Sequence, residues 1–178
     1  MLIETYNPEW VNQFERIKEK LLSGLSDIDV NIEHVGSTSV PNLAAKPIID
    51  IDIVYNKFAD FEGIKKSLEW LGYFHNGNQD IEGREVFKRT RTNYDEILDR
   101  ISHHLYVCKN DCAELQRHIL FRDYLRKHEV ARNFYQNLKY QIAEEANNDR
   151  KRYAAIKELK ANAFINYIIE LSKIAHDE

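Results

Sequence analysis

The 178 residues hold 25 Lys and Arg against 29 Asp and Glu, a formal charge of −4 at pH 7, with 43% hydrophobic and 11% aromatic residues. That balance argues against a general nucleic-acid binder, which shows a basic excess, while leaving room for a local basic groove. It also fits an ordinary globular chain, long enough for one domain, or a domain with a helical extension, around a real core.

Asn7-Pro8 reads as a helix start, because Asn caps and Pro fits the first turn. Trp10, Phe14, Ile17, Leu21 and Leu25 then recur at helical spacing, with Gly24 as the stop. A strand is expected over 29–35, ended by Gly36, and a short helix over 41–45, ended by Pro47. The apolar run 48–55, broken only by Asp50 and Asp52, predicts a central strand. Asp60 caps a helix carrying Phe61, Ile64, Leu68 and Leu71, with Gly72 as its end. Turn chemistry follows at 76–78 and 82–83. Strands are expected over 85–90 and 102–108, joined by an exposed polar connection over 91–101 that has room for a short helical turn.

From Asp111 onward the pattern is helical. Leu115, Ile119, Leu120, Tyr124 and Leu125 form one stripe. Val130, Phe134, Leu138 and Ile142 form a second. Tyr153, Ile156, Leu159, Ala163, Tyr167, Leu171 and Ile174 form a third. The breaks fall at His128-Glu129 and Asn147-Asn148-Asp149. The expected organisation is an α/β core over 1–108 and a helical region over 109–178 that packs on it. Trp10 and Trp70 both sit on apolar stripes and are expected in the core. Cys108 and Cys112 are too few for a disulfide framework and read as buried thiols. No apolar run reaches membrane-spanning length. Met1-Leu2-Ile3-Glu4 lacks the basic-then-apolar pattern of a signal peptide, so a cytoplasmic location with no membrane partner is expected.

The chemistry concentrates early. On a strand, alternation puts Asp50 and Asp52 on one face. Two close carboxylates are unfavourable unless a cation joins them or one keeps its proton, so a divalent metal, Mg²⁺ or Mn²⁺, is one reading. Pairing with Lys or Arg on a solvated face is the other. Gly36 lets a ligand approach the backbone, and the turn's N–H groups with the Ser37, Thr38 and Ser39 hydroxyls make anion donors. Lys46 adds a point charge suited to phosphate. In the helical half, Arg122, Arg126, Lys139, Lys151, Arg152 and Lys157 could close over an anion, and Tyr153 shares a helix face with Lys157. A salt-bridged helix surface is the competing account.

A strand, a Gly-Ser turn, and a second strand with two aspartates on one face resemble the nucleotidyltransferase superfamily. More narrowly, the segments 34–41 and 44–51 resemble the GrpB family. So do His103-His104-Leu105-Tyr106-Val107-Cys108, Phe121-Arg122-Asp123-Tyr124-Leu125-Arg126, and Tyr135, Lys139, Tyr153 and Lys157. The resemblance covers nearly the whole chain. It implies an α+β, nucleotidyltransferase-like mixed sheet with flanking helices, followed by a C-terminal helical region. It implies that Gly36, Ser37, Thr38, Ser39, Lys46, Arg122, Lys139, Tyr153 and Lys157 face a nucleotide or other phosphorylated small molecule, and that Asp50 and Asp52 hold metal. The superfamily takes a third carboxylate from a later strand. Here that strand offers His104 and Tyr106, and Glu85 is the nearest strand acid available as a third ligand. His104 is a candidate ligand, orienting group or acid–base. Two functions stay open: metal-dependent nucleotidyl transfer, or nucleotide binding without turnover on an incomplete metal site. Metal-assisted phosphate-ester hydrolysis is a third.

Overall fold

The computed structural model describes residues 2–57, 60–90 and 92–174. Arg91, at the start of the expected polar connection, and residues 175–178 of the expected helical region lie outside the described residues.

The elements run α1 (Glu9–Gly24), β1 (Val30–Val35), a 3-10 turn (Ser37–Ser39), β2 (Ile49–Tyr55), α2 (Asp60–Trp70), β3 (Tyr73–His75), β4 (Arg84–Arg89), α3 (Glu96–Arg100), β5 (His103–Lys109), α4 (Ala113–Lys127), α5 (Glu129–Glu145) and α6 (Arg150–Ile174). The mixed sheet has the order β1-β2-β5-β4-β3. Only β2 and β5 are parallel; the other pairs are antiparallel.

The first helix forms for local reasons. Asn7 Oδ1 accepts from Glu9 N at 3.0 Å, satisfying a helix-end donor. Trp10, Phe14, Ile17 and Leu21 then fall on one buried stripe. That stripe covers the sheet face made by Ile32, Ile49, Ile51, Ile53, Phe87, Leu105 and Val107, and Ile64, Leu68 and Leu98 from α2 and α3 complete this core. In α3, Asp95 caps by accepting from Ile97 N and Leu98 N, both at 3.0 Å.

The other sheet face carries the acids. Antiparallel register sets Glu33 beside Asp52 and Val35 beside Asp50. Parallel register sets His104 beside Asp50 and Tyr106 beside Asp52. The helical half covers this face. Leu115 and Ile119 of α4 pack with Tyr106 and Cys108. Ile142, Ala143 and Tyr153 from α5 and α6 pack on Leu2, Ile3 and Ala44. The N-terminal segment joins in, with Glu4 and Ala45 exchanging two backbone hydrogen bonds of 2.9 Å.

Several expectations need correction. Residues 41–45 form no helix; Ala45 is bridged to Glu4 instead. The strand β3 is an addition to the expected set: it is three residues long and follows the turn at Gly72, whose φ is +85°. Trp70 is 77% exposed at the last position of α2, whereas Trp10 is buried. The stripe expected on α5 is displaced: Tyr135, Lys139, Ile142 and Ala143 are buried, and Val130 and Phe134 are exposed. On α6 the buried residues are Tyr153, Ala161, Ile168, Ile169 and Ser172, while Leu159 is 81% exposed. Large apolar side chains dominate a periodicity count, but α6 packs against both α4 and α5, and Ala161 and Ser172 are among its buried contacts. Both cysteines are free and buried.

Candidate active-site cleft

The Gly-Ser turn is shaped by bonds within itself. Gly36 has φ +71° and ψ −172°, a region open essentially to glycine alone. A Cβ there would overlap Asp50 Oδ2 and lie 2.9 Å from Asp50 Cγ. Glycine therefore lets the aspartate lie against the turn. Ser39 Oγ donates to Gly36 O at 2.6 Å, and Thr38 Oγ1 donates to Ile48 O at 3.3 Å. Thr38 Oγ1 also meets His34 Nε2 at 3.0 Å. Thr38 and Ser39 are thus buried parts of the scaffold, and Ser37 is left on the cleft wall.

Two charged helix residues brace the turn from behind. Arg122 Nη1 donates to Glu33 Oε2 at 2.7 Å and to His34 O at 3.0 Å, while Nε reaches Asp123 at 2.7 Å. Arg126 donates twice to Ser39 O, at 2.8 and 3.0 Å. His34 is stacked on Phe14 at 4.5 Å on the far side of the sheet. Burial lowers its pKa from 6.5 to about 4; Asp50 works against that, and Arg126 and Arg122 reinforce it.

Asp50 and Asp52 share a face as alternation predicts, but not an environment. Asp50 keeps 30% of its side chain exposed, and Oδ1 accepts from His104 Nδ1 at 2.9 Å. Asp52 is fully buried, and Oδ2 accepts from His118 Nδ1 at 2.7 Å. Its other oxygen, Oδ1, has no hydrogen-bond partner among the described residues. Burial pushes the Asp52 carboxyl up, and the His118 bond opposes this. Burial disfavours a charged His118, but the bonds to Asp52 and then Glu114 prevail and raise it to about 10.

His118, on α4, was not singled out in the sequence. Its one signal is the i, i+4 pairing with Glu114, whose Oε1 is 3.4 Å from Nε2. Nothing in that spacing says that both groups turn inward.

The cleft between this face and the helices has two lobes. The larger, about 410 Å³, is lined by Ser37, Lys46, Asp50, His104, Tyr153 and Lys157 among others. The smaller, about 300 Å³, is lined by Gly36, Arg117, His118, Phe121, Arg122 and Tyr135 among others. Ser37, Asp50, Tyr106, Lys157, Asn162 and Ile165 border both.

The lysines sit differently from one another. Lys139 is 1% exposed, and Nζ donates to Ser37 Oγ at 3.2 Å and to Ala44 O. Burial, and then the Lys157 charge, hold it well below the usual lysine range. Lys46 Nζ lies 4.1 Å over the Tyr153 ring, and burial followed by Lys157 and Arg150 lowers its pKa. Lys157 is held in its charged form by Tyr135, and then by Tyr153 and Asp50.

Of the residues nominated from sequence, Gly36, Ser37, Thr38, Lys46, Asp50, His104, Arg122, Lys139, Tyr153 and Lys157 line one lobe or the other. Ser39 and Asp52 line neither, and Glu85 is not brought to the site at all. Glu85 pairs with Val107 in register, so it faces the opposite side of the sheet, where Oε2 bonds His75 Nε2 at 2.6 Å. Strand alternation is the physical reason, because Val86 and not Glu85 shares the face of Tyr106.

For a bound cation, the residues present fit one ion and not a protein-built cage. Among the described residues no cluster of three His, Cys, Asp or Glu side chains could hold a metal. Asp50 nevertheless offers an exposed carboxylate beside a turn suited to anions. Mg²⁺ is commonly held by one or two carboxylates with substrate phosphates and waters.

This fold is that of the nucleotidyltransferase-like proteins. Over 83% of the chain it superposes, with a TM-score of 0.58 and 12% identity, on 46% of the Cid1 poly(U) polymerase. The GrpB protein model matches residues 1–170, and the chain belongs to the GrpB family. The crystal structure of GrpB from Enterococcus faecalis covers 99% of both chains at a TM-score of 0.79 and 30% identity. The UPF0157 protein YqkA of Bacillus subtilis is 34% identical over 138 residues, 78% of this chain. The match spans 38% of YqkA's length. No described helix is long and apolar enough to cross a membrane.

Proposed function

We propose that the cleft binds a nucleoside triphosphate with one divalent cation, Mg²⁺ or Mn²⁺, and that the protein is a metal-dependent nucleotidyltransferase. The observation that carries this is the position of Asp50, an exposed carboxylate against the Gly36-Ser37 turn, at the junction of both lobes and facing Lys157. Cid1, which shares the fold, has been crystallised with MgATP.

In this reading Ser37 and Lys157 take the phosphates, with Lys46 lining the same larger lobe. Asp50 supplies the cation's protein ligand. The cation, once bound, neutralises phosphate charge and polarises the phosphorus under attack. An acceptor hydroxyl, amine or phosphate attacks in line and pyrophosphate leaves. His104, held by Asp50 at 2.9 Å and 53% exposed at its side chain, borders the larger lobe and orients what enters there. Catalysis on this plan is positioning and charge neutralisation, with no covalent work by the chain.

A second reading is favoured by the register. His104 and Tyr106 stand beside Asp50 and Asp52 on β5, where a third carboxylate would be expected. On that ground the cleft is a nucleotide-binding site without turnover. One experiment separates the two. The protein is incubated with Mn²⁺ and each nucleoside triphosphate, and melting temperature and pyrophosphate release are followed. Stabilisation with pyrophosphate release supports transfer. Stabilisation without it, across acceptors, supports binding alone. No metal-dependent stabilisation by any nucleotide refutes both.

A further inference from the structure

Asp50 and Asp52 leave one strand on one face, two residues apart, yet their surroundings differ. Asp50 meets the cleft, with the partly exposed His104 as its hydrogen-bond partner. Asp52 has no exposed surface and borders neither lobe. One protein cation bonds it. His118 Nδ1 donates to Oδ2 at 2.7 Å, and His118 is itself anchored to Glu114 at 3.4 Å. Arg84 lies on the same sheet face, in register with Cys108, with its guanidinium 4.9 Å from the centre of the Tyr106 ring.

Arg84 is buried. Its Nε and Asp52 Oδ1 are two of the three buried side-chain atoms without a hydrogen-bond partner among the described residues. Both atoms lie on one face of the sheet, and the two side chains do not bond to each other. His118 is therefore the group that already compensates the Asp52 carboxyl. In a two-ion phosphoryl-transfer site that compensation comes from a pair of metal ions about 3.5–4 Å apart.

We propose that the two aspartates divide their work: Asp50 takes a single divalent cation, while His118 holds Asp52 as an internal ion pair where a second ion would otherwise stand. This deepens the proposed function and rests on its cation. It makes the D-x-D pair half ligand and half scaffold. Exchanging His118 for a metal would require a fully buried carboxylate to surrender a short bond and would leave Glu114 with Arg117 alone, so the ion pair is the stable arrangement.

The test counts Mn²⁺ by electron paramagnetic resonance on the full chain, without nucleotide and with an α,β-methylene nucleoside triphosphate. The proposal expects one protein-held Mn²⁺ per chain. Asp50→Asn should weaken it by about tenfold or more, the scale on which metal sites respond to altered ligand shells. Asp52→Asn, whose amide oxygen still accepts from His118, should change Mn²⁺ affinity by less than about threefold. Should Asp52→Asn fail to fold, His118→Ala serves in its place: it frees Asp52, and a second Mn²⁺ should then bind. Two Mn²⁺ held by the wild-type chain overturns the proposal, as does a folded Asp52→Asn as defective as Asp50→Asn. A folded His118→Ala that loses the first ion overturns it too, since His118 would then be positioning Asp52 as a ligand. A wild-type chain that holds no Mn²⁺ under either condition removes the cation from the proposed function as well, and that result is distinct from the others.

Discussion

Gly36→Ala tests the contact on which the cleft is built. The wild-type backbone at this position has φ +71° and ψ −172°, and any non-glycine residue held there costs about 1–3 kcal/mol. The new methyl would also overlap Asp50 Oδ2, so the carboxylate must swing away and give up its bond to His104, worth about 1 kcal/mol more. A total of about 2–4 kcal/mol in a domain of this size lowers Tm by about 5–15 °C. Thermal unfolding followed by circular dichroism reads this directly. Asp50→Ala removes the obstructing carboxylate, so the double variant Gly36→Ala/Asp50→Ala should recover about 1 kcal/mol relative to the sum of the single changes. What it cannot recover is the backbone cost. A Gly36→Ala protein that melts within about 1 °C of wild type would refute the reasoning, and so would strict additivity of the two substitutions.

Further expectations concern the scaffold. His34 has its pKa lowered from 6.5 to about 4, so between those values the unfolded chain binds a proton that the folded chain does not. Stability should therefore fall as pH drops through that window, by about 3 kcal/mol in all, and level off below it. His34→Gln should flatten this part of a urea-stability profile, and an unchanged slope would show that His34 is not its source. Arg122→Met leaves Glu33 without its cationic partner and the His34 carbonyl without the Arg122 donor. Equilibrium denaturation should show a loss of about 2–4 kcal/mol. A loss below about 0.5 kcal/mol, the range of an ordinary surface substitution, would remove the bracing role. Trp10→Ala should cost about 3–5 kcal/mol, because the ring is buried against the sheet. Trp70→Ser, at an exposed position, should stay within about 0.5 kcal/mol. Equal effects at the two tryptophans would contradict their placement.

The same two tryptophans show where one-dimensional pattern stops. Both lie on apolar stripes, and periodicity treats them alike, yet Trp70 closes α2 and projects outward. Lys139 shows the converse. A lysine reads as a solvent-facing residue, so the predicted stripe on α5 runs through Val130 and Phe134. In the fold it turns inward, because Ser37 and Ala44 O accept from its ammonium and the Tyr135 ring lies 4.8 Å away. Glu85 misleads through parity, since a shift of one residue along a strand reverses the face.

What the amino-acid order determines alone is local: the capped and striped α1, the glycine that ends β1, and the alternation that puts Asp50 and Asp52 on one side of β2. Those features depend on backbone conformations and spacings that neighbouring residues set. Only the tertiary structure decides that Asp50 opens into a cleft while Asp52 is sealed against His118, 66 residues later in the chain. Their intrinsic chemistry is identical. The helix that packs over one and leaves the other uncovered sets their solvation, and solvation decides what each carboxylate can bind.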